Sequence, residues 1–496
     1  MHARPRVEAG ASGSCDRAVP GGMTVAGRQA FNRICFYHIV IFLTIDAGKD
    51  GVRRVLASAL RSAKIWRGDD DVRRGRIAGH SATMSTGAMM FAPLPPAGNP
   101  REAVEEEIRL MADDDRRVLD RVKFGRRFFG GQHPAEVAAY AYGLFAQAGR
   151  GSLYPGLPGA VSVERMQREV LEHALGLLQA PPEGTGIVTS GGTESVIMAT
   201  KAARSRALGR GLAPSDMEIV APYSAHPCID KAAELLNMRL LRVPTKGDLT
   251  ADIAAMAAAV SPRTILLYAS FPCYAYGCID DIEALGALAK SSAIWLHVDA
   301  CMSGLLAPFA RLNGEAIPNF DFSVPGVSSI SADLHKHGYS AKGASLLLFR
   351  SAELSRFSAF SYAGHPLPPM TTSTLAGTAA GAPIASAWAV MRYLGTAGYC
   401  DLARRLFAAR RAMVSAINGV PGFSVLGSPL FSIVVATSAR HDLASVRASL
   451  ARRNWFTLAV LEPPGIHFNI GACDAALAPE LARDLGSAVD GDHERN

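Results

Sequence analysis

From Ile187 onward, short apolar runs of strand length alternate with stretches of helical periodicity, and no other feature of the chain limits its fold as tightly. The runs occupy 186–189, 217–222, 239–243, 264–270, 293–298 and 344–349, and sequences such as ESVIMATKAARSRA and CIDKAAELLNM lie between several of them. Strands buried on both faces read as continuous apolar runs, and parallel neighbours need a crossover, usually a helix. The alternation therefore predicts an α/β fold with a mostly parallel sheet, helices on both faces, and the chemistry in loops at the strand C-termini. Past Pro369 the pattern turns helix-rich, with a strand near 430–436, which predicts a smaller C-terminal α+β domain. Upstream, a Pro-rich linker (Pro93, Pro95, Pro96, Pro100) leads into an acidic helix, REAVEEEIRLMADDD. Residues 124–160, rich in Gly and aromatics, read as a loop-dominated arm, and a helix pattern runs from Val163 to Leu178. The predicted divisions are 1–98 (extension and linker), 99–162 (N-terminal helix and arm), 163–370 (large domain) and 371–496 (small domain).

About half of the 496 residues are apolar and 19% are charged, enough to bury a sizeable core. The net charge of +7 suggests a nucleic-acid partner until it is located. Residues 1–83 hold 14 Lys/Arg against 7 Asp/Glu, and the remaining chain holds 37 of each. The body is neutral, so no nucleic-acid binding is expected. The apolar run Ile34–Ile45 is too short for a helix to cross a bilayer, which takes about 20 residues. The expectation is a poorly ordered basic extension, with Met84 a sensible start, and no stable membrane span. Eight scattered cysteines without a C-x-x-C pair fit a reduced cytoplasmic protein, with neither a disulfide framework nor a metal site.

Four stretches carry chemistry. In TSGGTES, Thr189–Ser195, two glycines let backbone approach a ligand. Ser190 and Thr193 offer hydroxyls, and the opening helix offers free N–H groups, a phosphate-binding arrangement that an ordinary capped turn also resembles. WLHVDA ends an apolar strand on Asp299. A lone carboxylate there is costly unless a cation meets it, and a protonated pyridine nitrogen is such a cation, although a capped or salt-bridged Asp is the simpler case. In SISADLHKHGYSAKGAS, Lys336 lies between His335 and His337. That is poor surface sequence, and it suits an amine made nucleophilic by desolvation for Schiff-base chemistry. In SAHPCIDKA, His226 follows a strand and can stack on a flat ring or cap the turn.

In this order and spacing the four stretches resemble the fold-type I, group II decarboxylase superfamily, and within it the sphingosine-1-phosphate lyase family. The likeness runs from about Lys123 to about Gly398. It implies pyridoxal 5′-phosphate as cofactor, with Lys336 as the Schiff-base lysine, Asp299 facing the ring nitrogen and His226 stacking on the ring. Ser190, Gly192, Thr193 and His335 would surround the cofactor phosphate. Thr378, in STLAGTAAG, would reach the cofactor phosphate of a second subunit, implying a homodimer with shared sites. The implied reaction is cleavage of the C2–C3 bond of a phosphorylated sphingoid base to phosphoethanolamine and a long-chain aldehyde. Lys342 matches the family's substrate-phosphate lysine, and Tyr274 its tyrosine near the scissile bond. The family's arm carries Asn and His for the phosphate. Here GRGSLYPG has Tyr154 in place of the His and no Asn, and Phe128 stands where the family has Tyr.

Two other readings stand beside this one. An amino acid decarboxylase of the same superfamily generally lacks a lysine at the Lys342 position. A non-catalytic binding or scaffold protein would be expected to have lost Lys336 or Asp299, and both are present.

Overall fold

Seven strands make the central sheet: β1 (Thr185–Thr189), β2 (Glu218–Pro222), β3 (Arg239–Val243), β4 (Thr264–Ser270), β5 (Trp295–Asp299), β6 (Val327–Ala332) and β7 (Ser345–Phe349), in the order β1-β7-β6-β5-β4-β2-β3. Strand β7 runs antiparallel to both its neighbours, and the other pairings are parallel. The computed structural model describes Leu94, residues 97–150 and residues 161–493. Tyr154, Met84 and the apolar run at 34–45 lie outside the described residues. The chain divides after Pro96, and the fold given is that of the second unit, Ala97–Asn496.

The sheet separates two cores by the two-residue alternation of strands. Leu266 and Tyr268 of β4 and Leu347 and Phe349 of β7 join the cluster under helices α4 (Gly192–Leu208) and α5 (Cys228–Leu235). Leu267 and Ala269, Leu296 and Val298, and Leu346 and Leu348 join the larger cluster on the other face, with α3 (Val161–Leu177). Each large apolar side chain buried there contributes ~1.5–3 kcal/mol.

Strand β6 is fully buried yet reads VSSISA. Its serines break the apolar run, and their hydroxyls are used across the sheet. Ser329 Oγ accepts from Trp295 Nε1 and pairs with His297 Nδ1, both at 2.8 Å, while Ser331 Oγ donates to Asp299 Oδ1 at 3.2 Å.

The arm differs from expectation. After α1 (Arg101–Arg121), residues Gln132–Leu144 form a helix, α2, packed on a later helix, α6 (Ala382–Asn418). The alanine-rich AEVAAYAYGL favours helix, and Pro134 in the first turn is tolerated because that N–H has no helical partner. The Gly and aromatic residues on either side hid it. Helix α6 turns at Gly395, whose φ of 54° suits glycine. Its residues up to Phe407 pack into the larger core, and those from Ala409 pack with Trp455 and Phe468 over a second sheet. That sheet is antiparallel, in the order β8-β9-β11-β10: β8 (Ser424–Val425), β9 (Ile433–Thr437), β10 (Leu458–Leu461) and β11 (Pro464–Asn469). Among the described residues no helix is long and apolar enough to cross a membrane.

Candidate active site

The C-terminal ends of β1, β2, β4, β5 and β6 converge on a cavity of about 630 Å³, a volume suited to a cofactor or small ligand. Ser190, Gly192 and Thr193 line it from the β1–α4 turn, and His226 and Tyr274 from the loops after β2 and β4. Asp299, His335, Lys336 and Lys342, also singled out from the sequence, line it too. Thr378 is exposed and lies outside the cavity lining, beside Gly149.

The β1–α4 turn is built to take an anion. By position, the N–H groups of Gly192, Thr193 and Glu194 have no acceptor within α4. Gly192 leaves no room for a side chain, since a Cβ would lie 2.6 Å from Cys301 Sγ and 3.0 Å from Asp333 Oδ1. Glu194 fixes the turn by accepting from the Ser190 N–H at 2.7 Å and the Ser190 hydroxyl at 2.6 Å. The Ser190 hydroxyl therefore already spends its proton on Glu194. His335 packs against Gly191, and its buried Nδ1 has no hydrogen-bonding partner. A phosphate over this turn would meet the free N–H groups, the Thr193 hydroxyl and that imidazole nitrogen.

Asp299 lies deep in the molecule with its carboxylate opening onto the cavity. Burial pushes its pKa up. The Lys336 ammonium and hydrogen bonds from the Tyr268 hydroxyl and from Cys301 outweigh burial, leaving the carboxyl below its ordinary value. It is a carboxylate prepared for a cationic partner. His226 accepts the Cys228 N–H at Nδ1 (3.1 Å), which places the imidazole proton on Nε2, and burial lowers its pKa. The Tyr274 ring stands edge-on to it at 5.9 Å, and His467 Nε2 donates to the Tyr274 carbonyl at 2.9 Å.

Lys336 departs from the expectation that desolvation makes it a free amine. Burial does act to lower its pKa, but Asp333 Oδ2 at 2.9 Å, with Cys301 and Asp299 near, raises it above the ordinary lysine value. Asp333 is buried and is itself held by the Ser345 hydroxyl at 2.5 Å. Sequence reasoning passed over it, although an acid at the end of a buried strand three residues before a lysine is a visible signal. Lys342 sits 5.3 Å over the Phe128 ring and donates to the His335 carbonyl at 3.4 Å. Burial, Lys336 and Arg127 lower its pKa, with Asp333 opposing. Arg127 and Asn469 also line this side, and both amide atoms of Asn469 lack hydrogen-bonding partners. Arg127 belongs to the arm, next to Phe128, whereas Asn469 does not stand out in the sequence because it lies far along the chain from the motifs. Among the described residues no group of His, Cys, Asp and Glu is placed to hold a metal ion.

The family model of the pyridoxal-dependent decarboxylase conserved domain matches residues 158–435. Sphingosine-1-phosphate lyase 1 of Rattus norvegicus is 33% identical over 349 residues, 70% of this chain and 60% of the rat protein. A probable L-tyrosine/L-aspartate decarboxylase of Methanocella arvoryzae is 33% identical over 67% of this chain and 83% of its own length. The solved sphingosine-1-phosphate lyase of Burkholderia pseudomallei superposes with a TM-score of 0.76 at 32% identity, covering 82% of this chain and 94% of that one. The chain spans about three fifths of the length of the eukaryotic lyases it matches first. The match covers more than half of the sequence and includes the whole of the central sheet, so this chain belongs to the pyridoxal-dependent decarboxylase family, with pyridoxal 5′-phosphate as its cofactor.

Proposed function

We propose that this protein cleaves the C2–C3 bond of phosphorylated sphingoid bases, releasing phosphoethanolamine and a long-chain aldehyde. The observation that carries the reading is Lys342, a cavity-lining cation with no carboxylate partner among the described residues. A substrate phosphate supplies the missing anion. The solved bacterial lyase and the eukaryotic lyases add support by similarity.

When bound, pyridoxal phosphate supplies an electron sink for the pair released from the broken bond. The residues divide the remaining work. Gly192, Thr193 and His335 would hold the cofactor phosphate at the start of α4. Ser190 shapes that turn through Glu194 and leaves its hydroxyl oxygen free to accept. Asp299 would keep the ring nitrogen protonated, and His226 would stack on the ring. Lys336 would carry the cofactor through Nζ, and Asp333, with Oδ2 2.9 Å from that atom, would pair with it. Lys342 clamps the substrate phosphate, with Tyr154 on the arm as a second contact. Tyr274, which lines the cavity, would take the C3 hydroxyl proton.

The working unit is a homodimer with shared sites. Helix α1 buries none of its residues and leaves Val104, Ile108, Met111 and Val118 exposed, and Thr378 is exposed as a contact to a second subunit requires. The described cysteines are free, which suits a reducing cytoplasm. Similarity to the archaeal decarboxylase favours a second reading, loss of carbon dioxide from an amino acid. Incubation with a sphingoid-base phosphate and, separately, with amino acids separates the two. Aldehyde from the first supports the lyase, and carbon dioxide from the second without aldehyde from the first replaces it with the decarboxylase.

A further inference from the structure

Tyr268 is out of place in its strand. It sits in β4, TILLYAS, fully buried among Ile219, Ala221, Trp295 and Phe349, where a phenylalanine would fill nearly the same volume. Burying a phenol hydroxyl is costly unless it is bonded. The hydroxyl reaches sideways to the next strand and bonds Asp299 Oδ2, with Cys228 Sγ 3.8 Å away. The direction of the bond follows from the charges. Asp299 is ionised and can only accept, while burial and the neighbouring Asp299 charge hold the Tyr268 pKa far above its ordinary value. Tyr268 therefore donates and keeps its proton. Asp299 Oδ1 is met separately by the Cys301 N–H at 3.1 Å and the Ser331 hydroxyl at 3.2 Å.

We propose that Tyr268 is a positioning residue that holds Asp299 in its charged form and so keeps the cofactor ring nitrogen protonated. The inference rests on the placement of Asp299 against that nitrogen. Two arrangements of the shared proton compete: a charged pair, with the proton on nitrogen, and a neutral pair, with the proton on the carboxyl. A donor on the carboxylate stabilises the charged form and therefore the first arrangement. The Ser331 and Cys301 donors act in the same sense on Oδ1, but Tyr268 is the one among them that meets Oδ2. The geometry thus extends the electronic control of the cofactor one strand away from the cavity, to a residue that does not line it.

The test loads the enzyme with pyridoxal 5′-phosphate labelled with ¹⁵N in the ring and reads the ring resonance, together with kcat and KM, in three forms. In Tyr268→Phe the resonance should move from the protonated toward the unprotonated position, with kcat lower by about tenfold and KM little changed, the scale of one hydrogen bond to a charged acceptor. Site-specific 3-fluorotyrosine at position 268, a stronger donor of the same shape, should leave the resonance protonated or move it further in that direction. Asp299→Asn is the control, because if it leaves the resonance unmoved, the placement of Asp299 fails and the Tyr268 inference fails with it. If Asp299→Asn moves the resonance but Tyr268→Phe changes only the melting temperature, Tyr268 is a packing residue and the inference alone is overturned.

Discussion

Replacing Lys342 with methionine removes one positive charge from the cavity and little else. The ammonium makes one long hydrogen bond, 3.4 Å to the His335 carbonyl, and rides over the Phe128 ring. No described carboxylate is left unpaired by its removal, and the methionine stem can keep the contact with Phe128. The fold and the cofactor absorbance should therefore be unchanged. If Lys342 holds the substrate phosphate, what is lost is one charge-assisted hydrogen bond, ~1.5–3 kcal/mol, or about ten- to hundredfold in kcat/KM. The side chain is partly open to solvent, and that screening favours the lower end, about tenfold. The assay is aldehyde release from a sphingoid-base phosphate and from its unphosphorylated parent. The variant should lose most of the preference for the phosphorylated form, and the activity of the unmutated enzyme should fall with added salt more steeply than that of the variant. A preference that survives within about twofold would refute the clamp and move it to Arg127 or to the arm.

Two further outcomes follow from the geometry. Gly192→Ala drives a Cβ to 2.6 Å from Cys301 Sγ and 3.0 Å from Asp333 Oδ1, so the turn must shift. Cofactor affinity, measured by dialysis and absorbance, should weaken by at least about tenfold, while the melting temperature of the apoprotein falls far less. Acid should destabilise the protein through His297 and His337, which burial holds near a pKa of about 4 against 6.5 unfolded. The unfolded chain binds these protons first, so their contribution, up to about 3 kcal/mol each, is present above pH 6.5 and is lost as pH falls toward 4. Asp280, raised by burial to about 6, acts in the opposite sense with one group, so melting temperatures measured from pH 7 to pH 4 should still decline. A flat profile would show that the two imidazoles are not held neutral.

Much of the fold was legible because β-strands buried on both faces cannot hide their apolar runs. The limits of the runs at 239–243 and 264–270 coincide with β3 and β4. Strand β6 showed less clearly, since its serines serve Trp295, His297 and Asp299 and make a buried strand look polar. In the arm, glycines and aromatics outweighed a short alanine-rich helix. Convergence of the motif residues on one cavity was legible in their order, because loops at strand C-termini share one edge of the sheet. The partners of those residues were not. That Asp333 reverses the effect of burial on Lys336, and that Tyr268 reaches Asp299 from a neighbouring strand, depend on strand register. Local sequence does not contain register.

Lys336 is the residue proposed to carry the cofactor. Purified enzyme should be yellow, with a visible absorbance band that borohydride bleaches, and peptide mapping of the reduced protein should find the pyridoxyl group on Lys336. A pyridoxyl group on Lys342 or any other lysine, or a Lys336→Ala enzyme that still forms the reducible chromophore, would contradict it.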